Sequence, residues 1–204
     1  MRVRFGYQTD GLSPVLIIII ANLFVYVIVF ILVIISPLIA QKIFLSLALP
    51  MPAQFWTQPW TILTSIFLHT RFWHIFGNMI TLYFFGTYFN RLVGERRFLI
   101  VYFVGGIIAN IFLLLLSGLA PYSVALGASG AVFALAGALV MMQPRLPVII
   151  FPIPIPMPLF VAVLGGFVIL SFLPSVAWQA HLGGLVVGLI AGFIIRRRER
   201  YLLF

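Results

Sequence analysis

Long apolar stretches, separated by charges, prolines and small polar clusters, make up most of this chain. A helix needs about 20 apolar residues to cross the roughly 30 Å hydrocarbon core of a bilayer. By that measure the pattern predicts six membrane spans, and therefore an all-α, six-helix polytopic bundle that forms a single domain over residues 1–204. The predicted spans are Pro14–Ser36, Phe72–Phe89, Phe98–Leu116, Ser129–Met142, Leu159–Phe172 and Gln179–Ile195.

Three connections between these spans have unusual compositions. The first, Leu38–Trp60, is apolar but contains three prolines, one lysine and two tryptophans, which predicts a loop lying in the membrane interface rather than a crossing. The approach to the fifth span contains six prolines between Pro144 and Pro158, which predicts no regular helix there. The connection Leu173–Trp178, just before the sixth span, is expected to cover the outer side of the bundle.

The composition indicates a membrane protein and argues against other classes of protein and of site. Hydrophobic residues make up 64% of the chain, against 12 Lys+Arg and 3 Asp+Glu. The net charge of +9 does not indicate nucleic-acid binding, because the basic residues form neither a stripe nor a patch on a soluble fold. The absence of cysteine excludes disulfides, thiolate metal sites and cysteine nucleophiles.

The basic residues are distributed unequally between the two sides of the six spans. Ten lie on the side of both termini, and only Lys42 and Arg71 lie on the other, so the positive-inside rule places both termini in the cytoplasm. The three acids, Asp10, Glu95 and Glu199, also fall on the cytoplasmic side. The short basic tail and the lack of an added domain favour the inner or plasma membrane of a prokaryote.

The remaining polar residues of interest lie at one depth. The second, fourth and sixth spans all run from outside to inside, so residues near their starts share the outer half of the bilayer. Because ionisable groups are costly in lipid, such a cluster indicates a functional site. Its members are His69, His74, Asn78, Ser129 and His181.

Ser129 is the candidate nucleophile of this cluster. It lies in the string Gly127-Ala128-Ser129-Gly130, whose small residues let another group approach the hydroxyl, and the helix that begins here presents free N–H groups. The span that it opens has 14 residues, which is about 21 Å of helix. That is about 9 Å less than the membrane core, so Ser129 is expected below the outer surface, beside a cavity that holds water.

His181 is the candidate general base. A glycine stripe follows it on one helix face, and small residues follow Ser129 in the same way, so close packing of the two helices would bring the two side chains within hydrogen-bond reach. A carboxylate third member is excluded because all three acids lie on the cytoplasmic side, which leaves the ring of Phe133 as the candidate for orienting His181. The stripes are Gly184, Gly188 and Gly192, and Gly130, Ala134 and Ala138.

His74 and Asn78 are four residues apart and therefore share a helix face near the depth of Ser129. An Asn amide, a His N–H and the backbone N–H of Ser129 are suitable donors to the oxyanion of acyl transfer, although Asn78 could equally well only bond a neighbouring helix. His69 is expected to have a structural role. A zinc site of three histidines is less favoured, because no acid lies nearby to act as a general base.

In their order and in their spans, these motifs resemble those of the rhomboid intramembrane serine proteases. The resemblance implies a six-helix core, cleavage of transmembrane protein substrates, Ser129 as nucleophile, His181 as general base, and His74 and Asn78 at the oxyanion. Gly127, Gly130 and Phe133 would support the site. The resemblance covers residues 56–192 and rests on His74-Ile75-Phe76-Gly77-Asn78, Gly127-Ala128-Ser129-Gly130 and Ala180-His181-Leu182-Gly183-Gly184.

Three positions depart from the pattern of this family. Thr61 stands where an arginine follows the first-loop tryptophan, Phe133 stands where many members have a tyrosine, and Asn90 occupies the acidic position after the second helix. None of them belongs to the proton-transfer pair. They therefore bear on loop stability and on the position of the histidine more than on activity itself.

The sequence thus predicts an intramembrane serine endopeptidase that uses a Ser129–His181 dyad near the outer side of the membrane and needs no metal or other cofactor. Its expected partners are transmembrane protein substrates and the lipid bilayer. One alternative is a rhomboid-like protein that binds membrane clients without cutting them, against which the presence of both Ser129 and His181 argues. The other is a small transporter, against which the lack of an intramembrane carboxylate and of inverted repeats argues.

Overall fold

The computed structural model describes residues 11–119, 122, 124–150, 153–173 and 176–201. Asp10, and Pro174 and Ser175 in the predicted outer cover, lie outside them. The helices are α1 (Pro14–Ile35), α2 (Pro37–Leu47), α3 (Pro52–Phe55), α4 (Thr61–Thr64), a 3₁₀ turn (Ser65–Phe67), α5 (Phe72–Thr81), a π turn (Leu82–Gly86), α6 (Thr87–Val93), α7 (Glu95–Leu115), α8 (Ser129–Met142), α9 (Leu159–Ser171) and α10 (Trp178–Tyr201). The strands are β1 (Leu49–Pro50), β2 (Val124–Ala125), β3 (Pro147–Ile150) and β4 (Ile153–Pro158).

Three of the described helices are long and apolar enough to cross a membrane. They are α1, α7 and the part of α10 from Trp178 to Arg198. Helices α2, α8 and α9 are apolar but shorter. Helix α5 continues through the π turn into α6, so that helical backbone runs from Phe72 to Val93.

The first connection is more regular than the predicted interfacial loop. Helix α2 starts directly after α1, at Pro37, and β1, α3 and α4 follow it. Pro37 occupies the first position of its helix, where the missing N–H has no intrahelical partner to lose and the fixed φ suits the helix. Pro52, which the sequence interpretation took as an interruption, likewise begins a helix, α3.

The proline-rich approach to α9 forms a hairpin. Strands β3 and β4 pair antiparallel, with Pro147 opposite Pro158 and Val148 opposite Met157. Among the described residues of this approach the prediction of no regular helix is correct, and two strands form there. A two-stranded ladder accommodates proline because each strand has an outer edge on which no N–H is needed.

Helix α8 lies in the core of the bundle, where ten of its 14 residues are buried. The glycine stripe of α10 packs directly on its backbone. A Cβ added to Gly184 would lie 2.0 Å from the carbonyl oxygen of Gly130, and one added to Gly188 would lie 2.1 Å from that of Ala134. The predicted contact between the two stripes is confirmed, and it sets the separation of α8 and α10.

Replacement of Gly188 by Ala is expected to destabilise the protein by about 1–3 kcal/mol, the usual cost of overpacking a well-packed core. The new methyl would collide with a backbone carbonyl, which cannot move away as a flexible side chain can. Gly165→Ala on α9 is the matched control, because no atom of the described residues lies within 4 Å of a Cβ added there. Thermal unfolding in detergent should show a lower Tm for Gly188→Ala and an unchanged or higher one for Gly165→Ala. Equal Tm values would contradict the close contact.

Candidate active site

The first residue of α8 meets the first turn of α10 at the centre of the site. His181 Nε2 lies 2.9 Å from Ser129 Oγ, at hydrogen-bond distance. His181 is buried, at 6% exposure, and Ser129 is half-buried. The close packing of the glycine stripes, which begin one residue after Ser129 and three after His181, brings the two side chains together. In this arrangement an unprotonated Nε2 accepts a hydrogen bond from the Ser129 hydroxyl.

An aromatic ring stacks on one face of the imidazole of His181. The centroid of Phe133 lies 4.6 Å from that of His181, with the planes inclined by 26°. Phe133 in turn contacts the ring of Phe167 on α9 edge-on, at 6.1 Å and 82°. Nδ1 of His181 is buried and has no hydrogen-bond partner among the described residues. In that part of the structure, stacking and the contact with Ser129 fix the orientation of the ring.

The turn before Ser129 requires glycine at position 127 for two reasons. Its φ of +112° is unfavourable for any residue with a Cβ. A Cβ there would also lie 2.7 Å from Nε2 of His74, so the imidazole of His74 rests against the Gly127 backbone. Gly130 has a different role, since a Cβ there would lie 2.5 Å from Cβ of Ala109 on α7. The structure thus brings His74 to the turn that leads into Ser129, and it uses Gly130 for helix packing.

Asn78 is buried, at 8% exposure, one helical turn after His74. Its Nδ2 donates a hydrogen bond of 2.9 Å to the carbonyl oxygen of His74 in its own helix. The alternative raised from the sequence, a bond to a neighbouring helix, does not occur in the described residues. An amide carries two N–H groups, so this bond leaves one for another acceptor.

His69 is fully buried between α5 and the turn before Ser129. Burial, and to a lesser extent the neighbouring His74, lower the pKa of His69 to about 3, so the ring is neutral at physiological pH. Its Nε2 accepts a 3.4 Å hydrogen bond from the backbone N–H of Ala128. Over the described ranges, no three His, Cys, Asp or Glu side chains are grouped closely enough to hold a metal ion.

Two polar residues that the sequence analysis did not consider also hold the turn before Ser129. Asn110 on α7 donates from Nδ2 to the carbonyl oxygen of Ile62, at 2.9 Å, and to Oγ of Ser65, at 3.0 Å. The carbonyl oxygen of Ser65 accepts the N–H of Gly127 at 2.9 Å. Asn110 is a polar residue within the apolar third predicted span, and that position is the signal by which the sequence could have identified it.

A small cavity lies beside Ser129. Its volume is about 20 Å³, and Ser129, Gly127 and Asn110 are among the residues that line it. A polar cavity needs roughly 10–15 Å³ to hold one water molecule. The cavity is therefore large enough for a single water next to the serine hydroxyl.

The helices and their composition define a multi-pass membrane protein, with a serine and a histidine paired among them. A family model described as Rhomboid domain matches residues 56–198. The chain belongs to the rhomboid family.

Individual relatives agree with this assignment. The chain is 31% identical over 154 residues to Rhomboid protein 1, mitochondrial, of Saccharomyces cerevisiae. The match covers 67% of this chain and 42% of the relative. It is 41% identical over 80 residues to Rhomboid protease GluP of Bacillus subtilis, covering 39% of this chain and 15% of the relative. It is 39% identical over 80 residues to Inactive RHOMBOID-like protein 8 of Arabidopsis thaliana, covering 39% of this chain and 22% of the relative. The matches span less than half the length of these three relatives.

Proposed function

We propose that this protein is an intramembrane serine endopeptidase that cleaves transmembrane protein substrates. The observation that carries the proposal is the 2.9 Å contact between Nε2 of His181 and Oγ of Ser129. A serine hydroxyl is a weak nucleophile unless a neighbouring base removes its proton, and an imidazole at this distance is such a base. Membership of a family whose named members include proteases supports the same chemistry.

The reaction proceeds in two halves. Oγ of Ser129 attacks the scissile carbonyl carbon while Nε2 of His181 takes the hydroxyl proton, and the tetrahedral intermediate collapses when the imidazolium returns that proton to the leaving amine. Water then attacks the acyl carbon while His181 takes its proton, and return of that proton to Oγ as the ester bond breaks regenerates Ser129 and releases the new carboxyl group. The 20 Å³ cavity beside Ser129 is a suitable place for that water.

Negative charge develops on the substrate oxygen during both halves. The remaining N–H of Asn78, the N–H of His74 and the backbone N–H of Ser129 are the proposed donors to it. Ser129 is the first residue of α8, where backbone N–H groups have no intrahelical acceptor and the helix dipole favours negative charge. The contact of His74 with the Gly127 backbone supports its part in this set.

The proposed topology has six crossings, with both termini in the cytoplasm of a prokaryotic cell and a site that opens toward the outer side. The helical run from Phe72 to Val93 is long enough for a crossing. Helix α8 is shorter than the membrane core, but it is buried among its neighbours, and protein around its ends can take the place of the missing helix length. The excess of basic residues on the side of the termini supports the orientation. The bacterial relative agrees with a prokaryotic membrane, whereas the yeast relative is mitochondrial.

The second candidate function is client binding without cleavage, which the similarity to an inactive relative favours. Labelling of the purified protein with a serine-directed fluorophosphonate separates the two, because only an activated serine reacts with it. We expect labelling of Ser129 in the wild type, none in Ser129→Ala, and full labelling in Ser171→Ala, whose hydroxyl bonds a carbonyl of its own helix. A folded wild type that takes up no label would leave client binding as the better account.

A further inference from the structure

The ends of α7 and α10 that lie away from the candidate active site enclose an apolar groove. Its volume is about 200 Å³. Val101 and Ile195 are buried in it, at 5% and 7% exposure, while Ile100 and Ile194 are about half exposed along its sides. The lining residues are Arg97, Ile100, Val101, Ala191, Ile194, Ile195 and Arg198.

Among the described residues that line the groove, the two charged ones are arginines, and they lie at the same end of it. Arg97 is in the first turn of α7 and Arg198 is in the last turns of α10, and the apolar lining residues follow on the membrane side of each. One helical turn further along the same faces, Val104 and Ile190 are also exposed. The groove is thus cationic at its end and apolar along its length.

The three consecutive arginines Arg196, Arg197 and Arg198 are directed to three different places. Arg196 donates to the carbonyl oxygen of Met141, at the end of α8, and the guanidinium of Arg197 lies over the ring of Phe193 at 5.1 Å. Of the run from Arg196 to Arg198, only Arg198 lines the groove. Within this basic cluster, Arg97 and Arg198 are therefore distinguished by lining the groove.

We propose that this groove is a binding site for an anionic phospholipid. The guanidiniums of Arg97 and Arg198 would bind the phosphodiester, a group that arginine recognises through several parallel N–H donors. One acyl chain would lie along Ile100, Val101, Ile194 and Ile195. Basic pockets between membrane helices on the cytoplasmic side are typical positions for anionic headgroups, and the proposed orientation places the groove on that side.

Titration of the protein in neutral detergent with lipid, followed by native mass spectrometry, tests the site. The probes are dioleoyl phosphatidylglycerol and dioleoyl phosphatidylcholine, which differ in charge but share acyl chains. We expect the wild type to bind the phosphatidylglycerol more tightly. The double variant Arg97→Gln with Arg198→Gln should weaken that binding about 10-fold or more, since each arginine near an anionic headgroup contributes about 1 kcal/mol.

The matched control is Arg96→Gln with Arg197→Gln, which removes the same charge from the neighbouring positions outside the groove. It should change the affinity by less than about 3-fold, a smaller effect than the arginine contribution expected inside the groove. An equal loss of affinity in both double variants would show that the lipid is bound by general surface charge. An equal affinity for phosphatidylcholine would show that it is bound by apolar contact alone. Either result overturns the proposal.

A second variant tests the apolar part and does not depend on the arginines. Ala191→Leu fills the groove and keeps both guanidiniums, so it should weaken phosphatidylglycerol binding at an unchanged Tm. Unaltered binding in this folded variant would contradict the acyl-chain position. Competition with inorganic phosphate completes the test, because displacement of the lipid by phosphate at millimolar concentration would show a phosphate site in place of a lipid site.

Discussion

Cleavage of a single-span substrate in proteoliposomes is expected to slow by about 10³- to 10⁶-fold when Ser129 is replaced by Ala, and by a similar factor when His181 is replaced by Ala. The two side chains act as one unit, since the hydroxyl is reactive only while the imidazole 2.9 Å away accepts its proton. The double variant should therefore be no slower than either single variant. The rate of product formation measures the effect, and thermal unfolding shows that each variant is folded.

Ser171→Ala is the control for this pair. Its hydroxyl bonds the carbonyl oxygen of Phe167 within α9, so its loss removes a half-buried serine hydroxyl without touching the proposed dyad. It should cleave at nearly the wild-type rate. A His181→Ala variant that cleaves within tenfold of the wild type would show that another group activates Ser129.

The second large effect is expected at Asn78. Asn78→Ala should lower kcat by about 10- to 1000-fold and leave KM nearly unchanged, because an oxyanion donor acts on charge that exists only in the transition state. Its intrahelical bond to His74 is lost as well, and that loss affects stability. Steady-state kinetics against one substrate, with Tm measured in parallel, separates the two consequences.

Asn22→Ala is the matched control for Asn78→Ala. Asn22 on α1 is also buried and donates from Nδ2 to the carbonyl oxygen four residues back, at 2.8 Å. It lies on a helix that supplies no residue of the proposed site, so its loss should affect Tm and spare kcat. A similar loss of kcat in both variants would attribute the effect to folding. A raised KM with unchanged kcat in Asn78→Ala would assign Asn78 to substrate binding.

Local rules predicted the parts of the structure that depend on one helix or on one spacing. The bounds Ser129–Met142 follow from the helix start after Gly127 and the polar Gln143-Pro144-Arg145 at the other end. The meeting of α8 and α10 followed from glycines spaced four apart, because a stripe without side chains has few other uses in an apolar helix. The proximity of Ser129, His181 and Phe133 is a consequence of that one contact.

Other features depend on contacts between distant parts of the chain, and the sequence pattern does not show which segments meet. The pairing of Leu49 with Ala125 joins two segments that each look like irregular loops. The bonds of Asn110 to Ile62 and Ser65 become visible only when α7 lies beside the first connection. The helical character of α2 was missed for a different reason, since the prolines at positions 50, 52 and 59 were taken to interrupt the whole segment Leu38–Trp60, although none of them lies within α2.

The contact between α8 and α10 also bears on how the protein is made. Ser129 and His181 are 52 residues apart, and the ribosome completes α8 well before α10. Until α10 inserts against the backbone of α8, the nascent chain contains Ser129 without His181, so the proposed dyad cannot form during insertion. If the proposed dyad is catalytic, completion of the bundle is therefore also the step that activates the protein.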